Sequence, residues 1–498
     1  MSKLKAGVYR VDITPPIGIS MVGYYARDGV SVGVERPLTA TALVLGTDEA
    51  KVAIVSCDLI FIQNPAVDEI RRRIGQSIQV GPSSVLINCS HTHCGPTLPG
   101  FTSESPAQRA MQATYQENLK NLLIGCVQAA DRKLRPARIG FDRGSTRIGI
   151  NRREKDCDGK VVLGENPNGP VDTDVAVVRV DEANGRPLAV LFSYGCHTVT
   201  MGPRCLMLSP DFPGPARQLV EQATGAMALF LQAAGGNINP ITGIGATEDD
   251  SENMTRLGQT LGAEVLKAMM RIRTHQKRGT RVLFSSLSRN FTYPYVSIEE
   301  TDSEISWLGD VVQLPMMTLP SLDEAQQIEE IRTQNLNQAR KEGLPEYRLA
   351  ALHRFRDWAA ILRRTVESGV RQVSVPLNIQ AIRVNDIAFA AAAGETLTEL
   401  GTGVKKASPF QNTVFLGYSN GCIGYISPSD AYPAEGWSPW ETYSIPDMLF
   451  QSYQLPMALS PECGQMVIDR SVALLNRLFG TENRTCNRQA VPNNVVGS

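Results

Sequence analysis

Histidine is scarce in this sequence, with only five among 498 residues. The chain also lacks an excess of charge of one sign, since 49 Lys and Arg stand against 50 Asp and Glu, and it contains no long run of like charges. Proteins that bind nucleic acids usually carry a basic patch or stripe. We therefore expect no nucleic acid partner.

Long apolar runs are missing as well. The runs "AMALFLQAA" and "IAFAAAAG" are much shorter than the roughly 18 residues that a bilayer span requires, so we expect no membrane span. The first residues contain lysines without a following apolar segment, which predicts no secretory signal. The ten cysteines include no CxxC pair, which is typical of reduced thiols and favours a cytoplasmic protein.

What the sequence does contain is an alternation of short apolar runs and amphipathic stretches. The runs "TALVLG", "VAIVSC" and "SVLIN" are typical of buried strands, whereas 106–132 and 252–274 have helical periodicity. This alternation predicts an α/β fold with mixed, layered sheets flanked by helices. We expect one catalytic domain made of 1–299 and 371–482, followed by a polar tail at 483–498.

Residues 300–370 differ in character from the rest. The segments "LDEAQQIEEIRTQNLNQARKEG" and "EYRLAALHRFRDWAAILRRTVESG" predict two charged amphipathic helices. We interpret 300–370 as an inserted helical hairpin. Insertions near the ends of strands often wall or cover a pocket, so the hairpin is expected to lie beside the site.

Three of the five histidines follow predicted strands. His91 and His93 lie in "NCSHTHCGP", and His197 lies in "YGCHTVTMG". Residues i and i+2 of an extended segment face the same way, so His91 and His93 could approach one metal ion or form a polar turn. The third histidine favours the metal site, since catalytic zinc takes three or four N, O or S ligands.

A carboxylate ligand would have to come from another part of the chain. Asp211 in "LSPDFPGPA" and Glu395 in "AAAGETLTELG" are both suitable, and spacing does not choose between them. Cys94 and Cys196 adjoin histidines, but neighbouring residues on a strand point to opposite faces. A cysteine nucleophile is therefore disfavoured.

Seven motifs occur together in a characteristic order. They are "NCSHTHCGP", "INR" at 150–152, "GCHTVTMG", "SPDFPG", "GGNINP", "GET" at 394–396 and "GYI" at 424–426. In this order they resemble the neutral, non-lysosomal ceramidases, which are zinc-dependent hydrolases of the N-acyl amide bond of ceramide.

The resemblance implies a role for each matching position. It implies one zinc ion per chain, with His91, His197, Glu395 and Tyr425 as ligands. It also implies that His93 faces the substrate, that Arg152 polarises the scissile carbonyl, and that Asp211 lies near the site. Tyr418 and Tyr432 are spaced seven residues from Tyr425 on either side and remain alternatives for the tyrosine.

The sequence departs from the family at one position that matters for the mechanism. The family has a serine immediately before the proline of "GGNINP", where this chain has Asn239. An asparagine cannot form an acyl-enzyme in the usual way, but its amide can donate and accept hydrogen bonds. Asn237 and Asn239 lie two residues apart, and we expect both to face the site, where one could hold a carbonyl oxygen as it becomes negative.

These observations predict a zinc-dependent hydrolase of an N-acyl amide bond that uses metal-activated water. We expect a small soluble substrate, because the serine is replaced and because no room for the family's C-terminal immunoglobulin-like domain follows "LLNRLFG". A zinc esterase or lactonase is the first alternative. A catalytically inactive relative that binds a ligand or a partner protein is the second.

Overall fold

The computed structural model describes residues 3–99, 105–285, 287, 289–298, 302–432 and 450–480. The strands of the first part of the chain are β1 (Lys5–Asp12), β2 (Gly33–Val34), β3 (Thr39–Gly46), β4 (Lys51–Cys57), β5 (Val85–Cys89), β6 (Arg135–Ser145), β7 (Gly149–Lys155), β8 (Val161–Asn166), β9 (Asp174–Glu182), β10 (Pro187–Tyr194), β11 (Met207–Leu208), β12 (Met227–Gln232), β13 (Ile238–Pro240), β14 (Gln276–Arg278), β15 (Val282–Ser285), β16 (Asn290–Thr292) and β17 (Tyr295–Ser297). The later strands are β18 (Ile305–Pro315), β19 (Ser374–Val384), β20 (Ile387–Ala392), β21 (Glu395–Thr396), β22 (Asn412–Leu416) and β23 (Tyr425–Ile426). The α-helices are α1 (Asn64–Ile78), α2 (Pro106–Asp131), α3 (Pro213–Thr224), α4 (Ser251–Arg271), α5 (Leu322–Lys341), α6 (Glu346–Glu367), α7 (Thr398–Ala407) and α8 (Cys463–Phe479).

The largest sheet has eight strands in the order β12-β10-β9-β6-β1-β3-β4-β5. One face of its first half packs against α3 and α4, and the same face of its second half packs against α1 and α2. The opposite face shares a core with a second sheet of order β18-β19-β20-β22. The far side of that second sheet is covered by α7 and α8.

Burial on both faces explains why the strands appear as continuous apolar runs. Ile54 and Val55 are adjacent in β4, and they enter the cores on opposite sides of the sheet. A strand covered on both faces is apolar throughout and does not alternate with polar residues. The predicted α/β fold with layered, helix-flanked sheets is confirmed.

The helical hairpin is confirmed as two helices, α5 and α6, which pack against each other. Ser321 caps the N-terminus of α5 and forms a capping box with Glu324. The hairpin does not begin at residue 300 as expected, because Ile305–Pro315 is strand β18 and pairs with β19 along its length. The two helices are therefore inserted between two strands of the second sheet.

The tail predicted at 483–498 lies outside the described residues. The division of the chain into domains stays a prediction. None of the helices in the described ranges is both long and apolar enough to cross a lipid bilayer.

Candidate active site

The site lies where the ends of several strands meet. Asn88 near the end of β5 bonds the backbone of Gln232 at the end of β12, accepting from its N–H at 2.7 Å and donating to its carbonyl oxygen at 3.1 Å. Strand β12 runs parallel to β10. The ends of β5, β10 and β12 are thereby held together, and His91 and His197 follow two of them.

The segments that carry the histidines are also joined directly. Thr92 and Thr198 form a parallel bridge, so the residues on either side of each threonine lie close together. His91 has a φ of 63°, which is the left-handed region and not the extended conformation expected from the sequence. The histidines do converge. The side chain of His91 is directed by the left-handed backbone conformation of this residue, however, and not by the alternation of side chains along a strand.

Glu395 and Tyr425 reach the histidines from a separate pair of short strands. They are register partners in the parallel pairing of β21 with β23. A carboxylate oxygen of Glu395, Oε2, lies 3.2 Å from Nε2 of His91 and 3.4 Å from Nε2 of His197. The Tyr425 hydroxyl lies 3.3 Å from Nε2 of His197. The four side chains implied as zinc ligands therefore converge.

His93 belongs to the same group. Its Nε2 lies 3.3 Å from Nε2 of His91, and the ligand atoms of His91, His93 and His197 all lie within 4.8 Å of one another. The side chain of His93 is partly exposed, and its Nδ1 has no hydrogen-bond partner among the described residues. The division of roles between ligand and substrate contact stays a prediction for this residue.

The hydrogen bonds of the histidines fix which nitrogen faces the centre. Nδ1 of His91 lies 3.1 Å from the carbonyl oxygen of Ile60, and Nδ1 of His197 lies 2.8 Å from that of Gly235. A carbonyl only accepts, so Nδ1 carries the proton and Nε2 presents a lone pair. Oε2 of Glu395 has no hydrogen-bond donor among the residues that the structure describes. Several lone pairs therefore point at one centre with no proton between them. A bound metal cation would accept these lone pairs as its ligands.

The pKa shifts agree with this donor set. Burial, followed by the nearby Arg152, lowers the pKa of His197 to about 3. Burial, followed by the other two histidines, lowers the pKa of His93 well below its usual range. Burial opposes ionisation of Glu395, but His91 and His197 outweigh it and hold its pKa well below its usual range. Neutral imidazoles and a charged carboxylate are the forms that bind metal ions.

The three spaced tyrosines have different positions. Tyr425 stacks parallel to His197, with the ring planes 6° apart. The ring of Tyr418 packs 4.2 Å from that of His91, centre to centre, and its buried hydroxyl has no partner in the described part of the chain. The Tyr432 hydroxyl lies 3.5 Å from the carbonyl oxygen of Ser460. Tyr425 therefore presents its oxygen to His197, and its role as a metal ligand stays a prediction.

Arg152 is brought to the site by the pairing of β7 with β13, in which Ile150 is opposite Asn239. Its guanidinium donates to the Tyr425 hydroxyl at 3.0 Å and to the side-chain oxygen of Asn239 at 3.4 Å. Both Arg152 and Asn239 are buried. The arginine thus lies beside the converging ligands and is oriented by Asn239.

Asn237 was expected to face the histidines, and this expectation is wrong. It donates to Glu399 at 2.9 Å and accepts from the backbone N–H of Thr398 at 2.9 Å, so both ends of its amide are used at the start of α7. The expectation assumed strand alternation, but Asn237 precedes β13. Its contacts instead fix the start of α7, three residues after Glu395.

Asp211 supports the site from a distance and does not join the converging ligands. Its carboxylate accepts from the Thr200 hydroxyl, and from the backbone N–H groups of Met201 and Phe212 at 3.0 and 2.6 Å. Burial raises its pKa to about 6. Of the two carboxylates that spacing left open, the one at the histidines is Glu395.

Two tyrosines at the site carry no sequence signal. The Tyr453 hydroxyl donates to Oε1 of Glu395, the oxygen that faces away from the histidines. The ring of Tyr24 packs 4.8 Å from that of His93, and its hydroxyl donates to the carbonyl oxygen of Met201. Neither residue lies in a motif, and each meets its partner across a long stretch of chain.

A cavity of about 500 Å³ opens onto the group. Its walls include His91, His93, Glu395, Tyr425 and Tyr453 together with the 20–30 segment. Ala350 and Arg354 of α6 also line it, so the hairpin forms part of the wall. This agrees with the expectation that the inserted helices lie beside the site.

The cysteines beside the histidines are unsuited to nucleophilic attack. Cys94 and Cys196 are fully buried. A hydrogen bond with Cys205 and burial raise the pKa of Cys94 well above its usual range, and burial does the same to the pKa of Cys196. Reactive cysteines have lowered pKa values and partial exposure.

The fold is that of an α/β protein. Imidazoles, a carboxylate and a phenol converge at the floor of its cavity and form a candidate metal centre. The sequence profile described as "Neutral/alkaline non-lysosomal ceramidase, N-terminal" matches residues 4–290. The chain belongs to this family.

Curated relatives agree with this membership. Neutral ceramidase A of Dictyostelium discoideum is 28% identical over 268 residues, which are 48% of this chain and 36% of that protein. Neutral ceramidase B of the same organism is 26% identical over 267 residues, with the same shares. The matched region thus spans about a third of the length of these relatives.

Two solved structures share the fold across nearly the whole chain. The neutral ceramidase of Pseudomonas aeruginosa superposes with a TM-score of 0.64 at 18% identity, over 96% of this chain and 75% of that one. A structure titled as a ceramidase complexed with C2 gives 0.64 at 16% identity, over 99% and 78%. At this identity the likeness establishes the fold.

Proposed function

We propose that this protein hydrolyses an N-acyl amide bond in a small substrate and that it uses one zinc ion. The observation that carries the proposal is the convergence of Nε2 of His91, Nε2 of His197 and Oε2 of Glu395 without a proton to share. Membership of the ceramidase family, whose named relatives cleave an amide, supports the type of bond.

Zinc fits these residues because it favours neutral imidazole with one carboxylate. His91, His197, Glu395 and Tyr425 would hold it, and their positions come from four separate segments of the chain. When bound, the metal would supply Lewis-acid activation of water and of the substrate carbonyl.

The remaining side chains act on the substrate. Arg152 carries a permanent charge beside Tyr425, so it can stabilise negative charge that develops on the carbonyl oxygen. Asn239 orients that guanidinium, and having no hydroxyl it forms no acyl-enzyme. His93 lines the cavity and its side chain is partly exposed, so it can contact the substrate.

The cavity favours a small substrate over a two-chain lipid. Pockets of about 300–1,000 Å³ enclose a drug-sized ligand, and this one measures about 500 Å³. The relatives are named ceramidases, so a lipid amide is the competing substrate. The two possibilities differ in how activity depends on acyl length.

The test is a substrate panel on metal-analysed protein. N-acetyl and N-octanoyl amides of one chromogenic amine, the matching esters, and short-chain and long-chain ceramide would be assayed before and after removal of the metal by a chelator. We expect turnover of the short amides, loss on chelation and recovery with zinc. Preference for long-chain ceramide would overturn the small substrate, and turnover of the esters without turnover of any amide would favour the esterase.

Variants test the residues. His91→Ala and His197→Ala should each lose zinc and activity, whereas His93→Ala should keep most of its zinc and lose activity. A full zinc content in both of the first two variants would remove the metal assignment. No turnover of any amide or ester by the zinc-loaded wild type would favour the inactive, ligand-binding alternative.

A further inference from the structure

Helix α6 of the inserted hairpin brings a positive charge to the wall of the cavity. Arg354 lies in α6 and lines the cavity, although only 6% of the residue is exposed. Its guanidinium donates to the carbonyl oxygen of Ser452 from Nε at 2.8 Å and from Nη2 at 2.6 Å. These two bonds hold the charged group in one place beside the cavity.

The described residues around Arg354 compensate its charge only in part. Arg217 is similarly buried, but there the attraction of Asp58 outweighs burial and raises the pKa of the guanidinium. For Arg354, burial lowers the pKa, and the nearby Tyr25 and Asp357 offset only part of this effect. A negative group that entered the cavity beside Arg354 would therefore be stabilised by its charge.

A second buried arginine lines the same cavity. Arg27 is also 6% exposed, and its guanidinium donates to two backbone carbonyl oxygens at 2.7 and 2.8 Å. The acidic side chains on the described wall are Asp28 and Glu395. Asp28 is exposed, so water screens its charge, and Glu395 faces the histidines and would balance part of the charge of a bound metal ion. The interior of the cavity thus favours an anionic ligand over a neutral one.

Arg354 is connected to the candidate metal centre through two neighbouring residues. Ser452 accepts from the guanidinium, and the next residue, Tyr453, donates to Oε1 of Glu395. All four residues line the one cavity of about 500 Å³. A small molecule whose carbonyl group lies at the centre can therefore place a second group at Arg354.

We propose that Arg354 binds an anionic group of the substrate, so that the substrate is an amide that carries a carboxylate. The inference rests on the proposed function, because it concerns the second end of the same substrate. A carboxylate is planar and can accept two parallel hydrogen bonds from a guanidinium. It belongs either to the amine part, as in an N-acyl amino acid, or to the acyl part, as in a succinyl amide.

The test compares amides that differ only in charge. The N-acetyl derivatives of glycine, β-alanine and γ-aminobutyrate, and an N-succinyl amide, would each be assayed beside the matching carboxamide on zinc-loaded protein. The ratio of the two kcat/KM values gives the preference for the carboxylate. We expect a ratio of about ten or more for at least one pair, the usual worth of a hydrogen bond to a charged group. Ratios near one for every pair would overturn the proposal, and the pair with the largest ratio identifies the part that carries the carboxylate.

Variants on α6 locate the preference. Arg354→Gln should bring the ratio to about one, whereas Arg364→Gln removes the same charge from an exposed position of the helix and should keep it. Ala350 lines the cavity one helical turn before Arg354, so Ala350→Glu places a carboxylate beside the guanidinium. We expect Ala350→Glu to lose the preference and the uncharged Ala350→Gln to keep it. A wild-type ratio in both Arg354→Gln and Ala350→Glu would mean that another group binds the anion.

Binding measurements separate this inference from the proposed hydrolysis. If the zinc-loaded wild type cleaves none of the amides, calorimetric titration with the same pairs would measure their affinities. Tighter binding of the carboxylates that Arg354→Gln abolishes would support the anion site and reject the hydrolase. Equal affinities within each pair, in protein that cleaves neutral amides, would reject the anion site and leave the hydrolase in place.

Discussion

At the scale of single residues, Tyr453 links the wall of the cavity to the candidate metal centre. Its hydroxyl donates to Oε1 of Glu395, which leaves Oε2 directed at the histidines. Gly424 makes this possible, because it has a φ of 109° and an added Cβ would lie 2.9 Å from the Tyr453 ring. Groups that orient a metal ligand commonly matter about as much as the ligand's own geometry.

We therefore predict that Tyr453→Phe lowers zinc affinity by about 10- to 100-fold, the usual effect of removing such a partner. The ring remains, so the cavity wall is kept while Glu395 loses its donor. Competition with a chromogenic zinc chelator would measure the affinity. Tyr432→Phe is the control, because the Tyr432 hydroxyl lies by the carbonyl oxygen of Ser460. Equal affinity of the Tyr453 variant and the wild type would contradict the role.

The sequence allowed some of the site to be predicted at this scale, for physical reasons. His91, His197 and Glu395 follow strands, and polar residues at strand ends are visible in a single sequence. Tyr453 has no such signal, since it meets Glu395 only through tertiary folding. The direction of Asn237 was predicted wrongly because alternation applies within a strand, and this residue lies just before β13.

At the scale of elements, the strands and helices with strong periodicity were predictable, and the edge of the second sheet was not. Strand β18 is an edge strand, and several of its side chains are exposed. It lacks the apolar run of the buried strands, so its sequence merges with that of the charged hairpin that follows. The helices α5 and α6 were recognisable because their apolar residues recur at helical spacing.

The hairpin supplies a wall of the cavity, which leads to a prediction about specificity. Ala350 on α6 lines the cavity, and Ala350→Phe would fill part of it. We expect KM to rise about tenfold for an amide with a bulky acyl group and little change for the acetyl amide, since one or two lost contacts are worth about that much. Arg364→Phe, at an exposed position in the last turn of α6, is the control.

Steady-state kinetics on the two amides would separate these effects. A drop in kcat for the acetyl amide with unchanged zinc content would mean that α6 shapes the reacting centre itself. Equal kinetics of Ala350→Phe and wild type on the bulky amide would remove α6 from the substrate path.

At the scale of the whole molecule, the proposed metal centre joins parts of the chain that are distant in sequence. Its four ligands are His91 after β5, His197 after β10, Glu395 in β21 and Tyr425 in β23. The unfolded chain does not hold these groups together, so a metal ion would bind the folded state in preference. Binding then stabilises the fold by an amount set by the ratio of free metal to its dissociation constant.

We predict that removing the metal lowers the thermal midpoint of unfolding. At a free zinc concentration of about 1,000 times the dissociation constant, the stabilisation is about 4 kcal/mol. Unfolding entropy scales with length, and for a chain of 498 residues it makes 1 kcal/mol correspond to roughly 1 °C, so the expected fall is about 4 °C. Calorimetry of the zinc-loaded and chelator-treated protein would measure it.

The double variant His91→Ala with His197→Ala should show no difference between the two conditions, since it lacks two ligands. The same midpoint for loaded and stripped wild-type protein would mean that the four side chains do not form one metal site in the folded chain. An equal shift in the double variant would place the bound metal somewhere else.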